Sequence, residues 1–428
     1  MFDYIQFSLF DLIIIPMFVL VIGTRGFKLI HVYIAMVFYI NLHVYRYASV
    51  YGIYTGWYSI DHLTRLGAFQ RPELTEWLYT SLICACLGLG MLVKRKVKHE
   101  ELITGLKLGL SGGGRFGLFV SAVAMVLFAI SICHLFDIDK SVLWHNMEYT
   151  AIKKYELAGI GFPPNAVFHR GLKYVPLIAT MFLMVAQRKW VKSLLWFVII
   201  YAVFLNLASN SRSASISLGL LAFLFIFRKE IRMRMVGIGL IFLAFLCLVI
   251  ALDGRGRTSQ GIVGMVETME SLSLPMIGNM MFHILATTFN GAIVVSTGLA
   301  NPADHGFLFK VLSFSPFPSL IDGFGARCGD EIVRLTANNP QPALAEVFGL
   351  GYLWTIMFFS IYFGCLFFVS RAYNRFGTQI AIAAGLPLLF IGVLMQIYPL
   401  RAVSKLTAAS ILIILAIEGF KKFQFKKP

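Results

Sequence analysis

Residues Trp196–Phe227 read WFVIIYAVFLNLASNSRSASISLGLLAFLFIF. Two apolar runs, Trp196 to Ala208 and Leu220 to Phe227, are separated only by SNSRSASISLG. Both runs are continuously apolar rather than alternating, so each reads as a helix in hydrocarbon and not as a barrel strand. The polar insert is then the tip of a membrane hairpin, and Arg212 sits on it. A permanent charge so close to hydrocarbon has two uses. It snorkels to the headgroups and pins the turn, or it faces a cavity and binds an anion.

The rest of the chain has the same character. It holds 428 residues, 58% hydrophobic and 14% charged, which is too apolar for a soluble protein of this size. Apolar runs of roughly 17–25 residues recur, the length needed to cross a hydrocarbon core as helix. They place spans near 7–23, 29–47, 76–93, 115–134, 172–187, 192–208, 213–227, 235–252, 343–369, 378–397 and 406–420. The expected fold is an all-α polytopic integral membrane protein of about eleven transmembrane helices, residues 1–428 forming one transmembrane domain. MFDYIQFSLFD has no basic n-region, so no cleavable signal peptide is expected. Cys84, Cys86, Cys133, Cys247 and Cys365 fall in or at the ends of spans and read as small hydrophobes; only Cys328 lies in a loop.

A net charge of +16 suggests nucleic acid until it is sorted by side. One set of loops carries 21 basic and four acidic residues, a net of +17, while the other carries 16 and 17, a net of −1. The positive-inside rule assigns KRKVK, QRKWVK, RKEIRMR and the KKFQFKK tail to the cytoplasm and the N-terminus to the outside. The excess charge is a topology signal, and nucleic acid is not an expected partner. Neither a P-loop nor a strand-flanked G-x-G-x-x-G occurs, which argues against an ATP-driven machine.

The long connections lie on the outer side, above all residues 253–342, read as one large extracytoplasmic loop carrying short helices. Within it MIGNMMFHILATTFNGAIVVSTG (Met276–Gly298) is almost apolar enough to span, but a span there would invert everything that follows. It reads instead as a helix packed on the bundle or lying at the interface. HGFLFKVLSFSPFPSLIDGFG (His305–Gly325), broken by Pro316 and Pro318, reads as an interfacial segment.

Basic residues gather at the outer helix ends. Arg212 has Asn210, Ser211 and Ser213 beside it, and DGRGR adds Arg255 and Arg257 with glycines that admit a ligand to the backbone. FHRGLKY brings Arg170 and Lys173, YPLRAVSK brings Arg401 and Lys405, and the large loop contributes Arg327 and Arg334. Guanidinium forks match phosphate oxygens in pairs, so the set points to a phosphate-lined mouth. In NNPQPALAEVFGLGYLW (Asn338–Trp354) a carboxylate, Glu346, enters the outer end of an apolar run, either paired with one of these arginines or serving a wet site.

Arginine-rich outer loops, the S-R-S hairpin, an F-x-P-x-P-S run and P-x-x-x-E-x-x-x-x-G before a late span together resemble the bacterial Wzy-type polymerases of oligosaccharide repeat units. The likeness covers the whole topology, with VFG here where NFG is common in relatives. The resemblance implies a metal-independent, cofactor-free glycosyltransferase of the bacterial inner membrane, with periplasmic N-terminus and cytoplasmic C-terminus. Its substrates would be undecaprenyl-pyrophosphate-linked glycans, and its partners membrane lipids, a chain-length regulator and a flippase. Pyrophosphate and glycan contacts would map to Arg212, Arg255, Arg257, Arg170 and Arg401, with Arg327 and Arg334 as further loop arginines; Glu346, with His305 or Asp304 as alternatives, would take the acceptor proton. Two rivals follow: an O-antigen ligase, expected to need a histidine in the large loop, and a lipid-linked sugar transporter, expected to carry ionisable groups near mid-membrane.

Overall fold

The computed structural model describes residues 8–27, 29–51, 64–94, 115–137, 144, 175–186, 188–211, 213–226, 231–254, 261–317, 322–335, 340–376 and 378–424. These are helical almost throughout, with one isolated β-bridge, Arg334 to Pro340. In chain order the helices are α1 (Asp11–Arg25), α2 (Ile30–Tyr51), α3 (Pro72–Met91), α4 (Arg115–Asp137), α5 (Val175–Val185), α6 (Lys189–Ala208), α7 (Ser213–Ile226), α8 (Ile231–Asp253) and α9 (Gly261–Glu270). Then come α10 (Leu274–Phe289), α11 (Gly291–Ala300), α12 (Phe307–Ser313), α13 (Phe324–Cys328), α14 (Ala343–Gly349), α15 (Tyr352–Phe376), α16 (Thr378–Leu394) and α17 (Leu400–Gln424). Each apolar run of the sequence falls on a helix. Among the described residues five helices, within α3, α4, α6, α8 and α15, are long and apolar enough to cross a membrane. The chain is therefore an all-α membrane protein.

It divides into two compact units. The first comprises residues 1–103 and 283–428, the second residues 104–282. In the first, α1 and α2 pack along α3, while α16 packs on α2, α15 and α17. Its core is built from Phe38 and Leu42 of α2, Tyr79 and Ile83 of α3, and Tyr362 of α15. Small residues set the helix spacing: a Cβ at Gly392 would stand 3.1 Å from the Tyr362 hydroxyl and 3.3 Å from Ile34. In the second unit α7 and α8 form a close hairpin, and α4, α5 and α6 share a core around Val120, Leu195 and Val198.

Two long apolar stretches are broken where their hydropathy runs on. Met276–Gly298 divides at Asn290 into α10 and α11. Every residue of α11 from Gly291 to Leu299 is buried. The Gly291 N–H donates to Asn41 Oδ1 at 2.9 Å, and further along Ser296 Oγ meets the Tyr45 hydroxyl at 3.3 Å. Asn41 lies about 15 Å of helix rise before the end of α2. α11 thus begins deep in the bundle and runs out alongside α2. Nothing larger than glycine fits at its start, because a Cβ on Gly291 would stand 2.7 Å from Gln396 Cβ and 2.9 Å from Asn41 Oδ1.

The second break corrects the span expected at 343–369. α14 ends at Gly349, and Gly351 with φ +99° turns the chain before α15 starts at Tyr352. That left-handed angle suits glycine, so the apolar run holds a short helix and a separate spanning one. Glu346 belongs to the short helix.

Candidate functional site

α14 and the neighbouring helix ends satisfy one another. α16 runs out at Leu394, leaving carbonyls with no helical partner, and α14 begins with N–H groups in the same state. Ala343 donates to the Tyr398 carbonyl at 2.7 Å and Leu344 to the Met395 carbonyl at 3.0 Å. In return Glu346 Oε2 accepts the N–H of Leu400, the first residue of α17, at 2.7 Å. A carboxylate at a helix N-terminus is favourably placed. Among the described residues Glu346 forms no ion pair with an arginine; its partner is the end of α17. Only 4% of it is exposed, and burial pushes its carboxyl up to about 7, offset in part by the Leu400 N–H.

The sign of the resulting pH dependence is fixed. A carboxyl with a raised folded-state pKa binds its proton more tightly in the folded protein, so stability falls as pH rises from 4.5 through about 7. Glu346→Gln removes that component. The stability difference between variant and wild type is expected to shift in the variant's favour by about 3 kcal/mol across that window. Thermal unfolding in detergent at pH 4.5 and 8 measures it; a difference that does not change with pH contradicts the placement.

Arg401, one residue further on, is held through both terminal nitrogens, while its Nε is buried without a hydrogen-bond partner. It bonds the carbonyls of Leu312, Ser315 and Phe317, pairs with Asp322, and lies 4.8 Å from the centre of the Phe324 ring. Asp322 also accepts from Ser315 Oγ at 2.6 Å and from the Phe324 N–H at 3.1 Å. Burial alone would raise the Asp322 carboxyl, but the hydrogen bonds from Ser315 and Arg401, aided by the arginine's charge, hold it below the usual range. Arg401 therefore ties the segment between α12 and α13 to the start of α17. It does not present an open fork to a phosphate.

An aromatic chain leads from Arg401 to His305. Phe324 lies 5.5 Å from Phe309, whose ring stacks on His305 at 4.0 Å and 6°. Both imidazole nitrogens are buried without a hydrogen-bond partner, and Glu331 Oε2 stands 3.9 Å from Nδ1. Burial lowers the imidazole pKa, which keeps the ring neutral. Glu331 itself accepts the Gly306 N–H at 2.7 Å. Arg327 and Arg334 lie on the surface, and Asp304 is exposed beside His305.

In the second unit α6 ends in a paired closure of its last carbonyls. Asn210, with φ +51°, donates to Leu207 at 2.9 Å, and Ser211 donates to Asn206 at 2.8 Å. That is the Schellman arrangement, with asparagine in the left-handed position usually taken by glycine. Gly254, at the far end of α8, packs against the Asn210 side chain so closely that no Cβ fits. Arg212, Arg255, Arg257 and Arg170 lie outside the described residues.

No protein family matches the chain, and no curated protein or solved structure matches it.

The strongest polar network was not anticipated from the sequence. Arg46 of α2 grips Glu76 of α3 with Nε at 2.6 Å and Nη2 at 2.7 Å, and reaches Asp11 of α1 at 2.7 Å and Ser8 Oγ at 2.7 Å. His43 Nε2 stands 3.8 Å from Asp11. Three helices are thus held by one buried cation. The signal was present in principle: an arginine inside an apolar run, with carboxylates at the starts of the two neighbouring runs.

Proposed function

We propose that the protein is a polysaccharide polymerase at the outer face of the bacterial inner membrane. It moves a growing glycan from its undecaprenyl pyrophosphate carrier onto the non-reducing end of a lipid-linked repeat unit. The acceptor hydroxyl attacks the anomeric carbon, the bond to pyrophosphate breaks, and the electron pair leaves with the pyrophosphate. A base accepts the hydroxyl proton.

One contact carries this reading, the packing of Gly254 against Asn210. Arg212 follows Asn210 by two positions and Arg255 follows Gly254 by one, so both arginines are near neighbours in sequence of a single point of contact. Guanidinium groups there would bind a diphosphate and stabilise its developing charge without a metal. Arg257 extends the set. Arg170 keeps its role as a further contact, while Arg401 acts through the loop it holds.

For the base, Glu346 has a pKa near neutrality and His305 has an uncommitted neutral ring. The unpartnered imidazole favours a second reading, an O-antigen ligase that delivers the chain to lipid A-core. One experiment separates them. Arg212→Lys, Arg255→Lys and Arg257→Lys are each expected to shorten cell-surface glycan to single-unit caps, with polymer reduced about tenfold or more, because lysine keeps the charge but loses the fork. Wild-type chain lengths at normal protein abundance would remove these arginines from the mechanism. His305→Ala should leave chain length unchanged in a polymerase whose base is Glu346; uncapped core with accumulated lipid-linked polymer would instead identify the ligase.

A further inference from the structure

We propose that the groove between the Arg25 end of α1 and the Met91 end of α3 holds the phosphate of an anionic membrane lipid. The groove measures about 390 Å³ and is lined by Leu20, Thr24, Arg25 and Met91. It lies at the end of the first unit opposite the Arg46 network, because α1 and α3 run in parallel from Asp11 and Glu76. Its walls suit acyl chains: Leu20 is half exposed on the outer flank of α1, with Val19 beside it, and Leu92 is exposed just past α3.

Arg25 is the polar feature of the groove. Its Nε is shielded from solvent with no partner, and among the described residues the guanidinium makes no hydrogen bond or ion pair. This sets it apart from Arg46 and Arg401, whose terminal nitrogens are held by protein acceptors, although the Arg401 Nε is likewise buried without a partner. Thr24 does not compete for it, since its hydroxyl donates to the Leu20 carbonyl at 2.7 Å. The residue as a whole is partly exposed and lines the groove. A planar fork at the end of an apolar cleft matches a phosphodiester whose chains run along the cleft.

The surroundings favour a lipid. Phe27 and Tyr33, both exposed, meet edge to face at 6.2 Å at the same end of the unit, as aromatic residues do at headgroup depth. Lys94 follows α3, and its backbone N–H bonds the Asn374 side chain, which returns a bond to the Leu92 carbonyl at 3.0 Å. This brings the end of α15, with exposed Arg371, to the same rim. Lys94, Arg371 and Arg25 all belong to the strongly basic side of the chain, where anionic headgroups are attracted.

The test uses full-length protein purified in detergent and exchanged into equal phosphatidylglycerol and phosphatidylcholine, with retained lipid counted by native mass spectrometry. Wild type should retain phosphatidylglycerol in preference, and Arg25→Gln should reduce that retention about fivefold while phosphatidylcholine is unaffected. Met91→Trp fills the groove without altering charge and should reduce it likewise, which keeps the test valid if the arginine variant misfolds. Equal retention of the two lipids by wild type, or undiminished phosphatidylglycerol in folded Arg25→Gln or Met91→Trp, overturns the proposal. Displacement of the lipid by excess inorganic phosphate would reassign the groove to a soluble phosphate and overturn the lipid assignment.

Discussion

Arg46→Met is expected to destabilise the first unit by about 3–5 kcal/mol. The substitution retains much of the apolar stem but strips Asp11 and Glu76 of their shared cation. Asp11 is 2% exposed and Glu76 13%, so one buried and one partly buried carboxylate would be left without a counter-charge or forced to take up protons. The loss should appear as low membrane abundance and a depressed unfolding temperature in detergent. Adding Asp11→Asn and Glu76→Gln to the same protein should recover most of it, because neutral partners need no counter-charge. Unchanged stability in the single variant would mean that Arg46 does not hold α1, α2 and α3 together.

The second large effect is expected at Arg401. Arg401→Gln removes the pairing with Asp322 and most of the bonds to the carbonyls of Leu312, Ser315 and Phe317. Asp322, partly buried and still holding its bonds from Ser315 and Phe324, then loses its counter-charge, at a cost of about 2–3 kcal/mol. Unlike the Arg46 change, the damage should be local. Ser315, Phe317 and Asp322 would detach from the start of α17 and the chain around them become open to protease added to intact spheroplasts or inverted vesicles, while α2 and α3 remain folded. Arg401→Lys should give an intermediate result, since one ammonium cannot reach all four acceptors. Protease resistance equal to wild type in Arg401→Gln would show that the loop is held by other means.

These two arginines mark the limit of what the sequence reveals. The helices themselves were legible, because a run such as Trp196–Ala208 has no other stable state in hydrocarbon. The breaks at Asn290 and Gly351 were not. Hydropathy continues across both, and what marks the break is a glycine N–H turned onto Asn41 Oδ1, with no Cβ to hold Gln396 away, in one case and a left-handed glycine in the other. Neither is visible without the neighbours.

The candidate site divides along the same line. Glu346 and Arg401 stood out as charges at the ends of apolar runs. Their partners, the Leu400 N–H and Asp322, are 54 and 79 residues away in the chain and carry no local signature. Sequence therefore located the charges but not their occupations. The structure adds an acceptor role at a helix end for Glu346, where sequence reading offered a base or an arginine's partner, and a loop brace for Arg401, where it offered a phosphate contact. Asn210 was clearer than it looked. The S-N-S turn closes α6 through backbone bonds, and the absence of a side chain at Gly254 lets α8 end against it.

The proposed polymerase activity is tested most directly by reconstituting the purified protein in liposomes with an undecaprenyl-pyrophosphate-linked repeat unit and resolving the products by size. The prediction is a ladder in which each product exceeds the last by one repeat unit, with pyrophosphate carrier released in step and the ladder lost in Arg212→Lys. Input units recovered unlengthened, or moved across the bilayer without any new glycosidic bond, would contradict it.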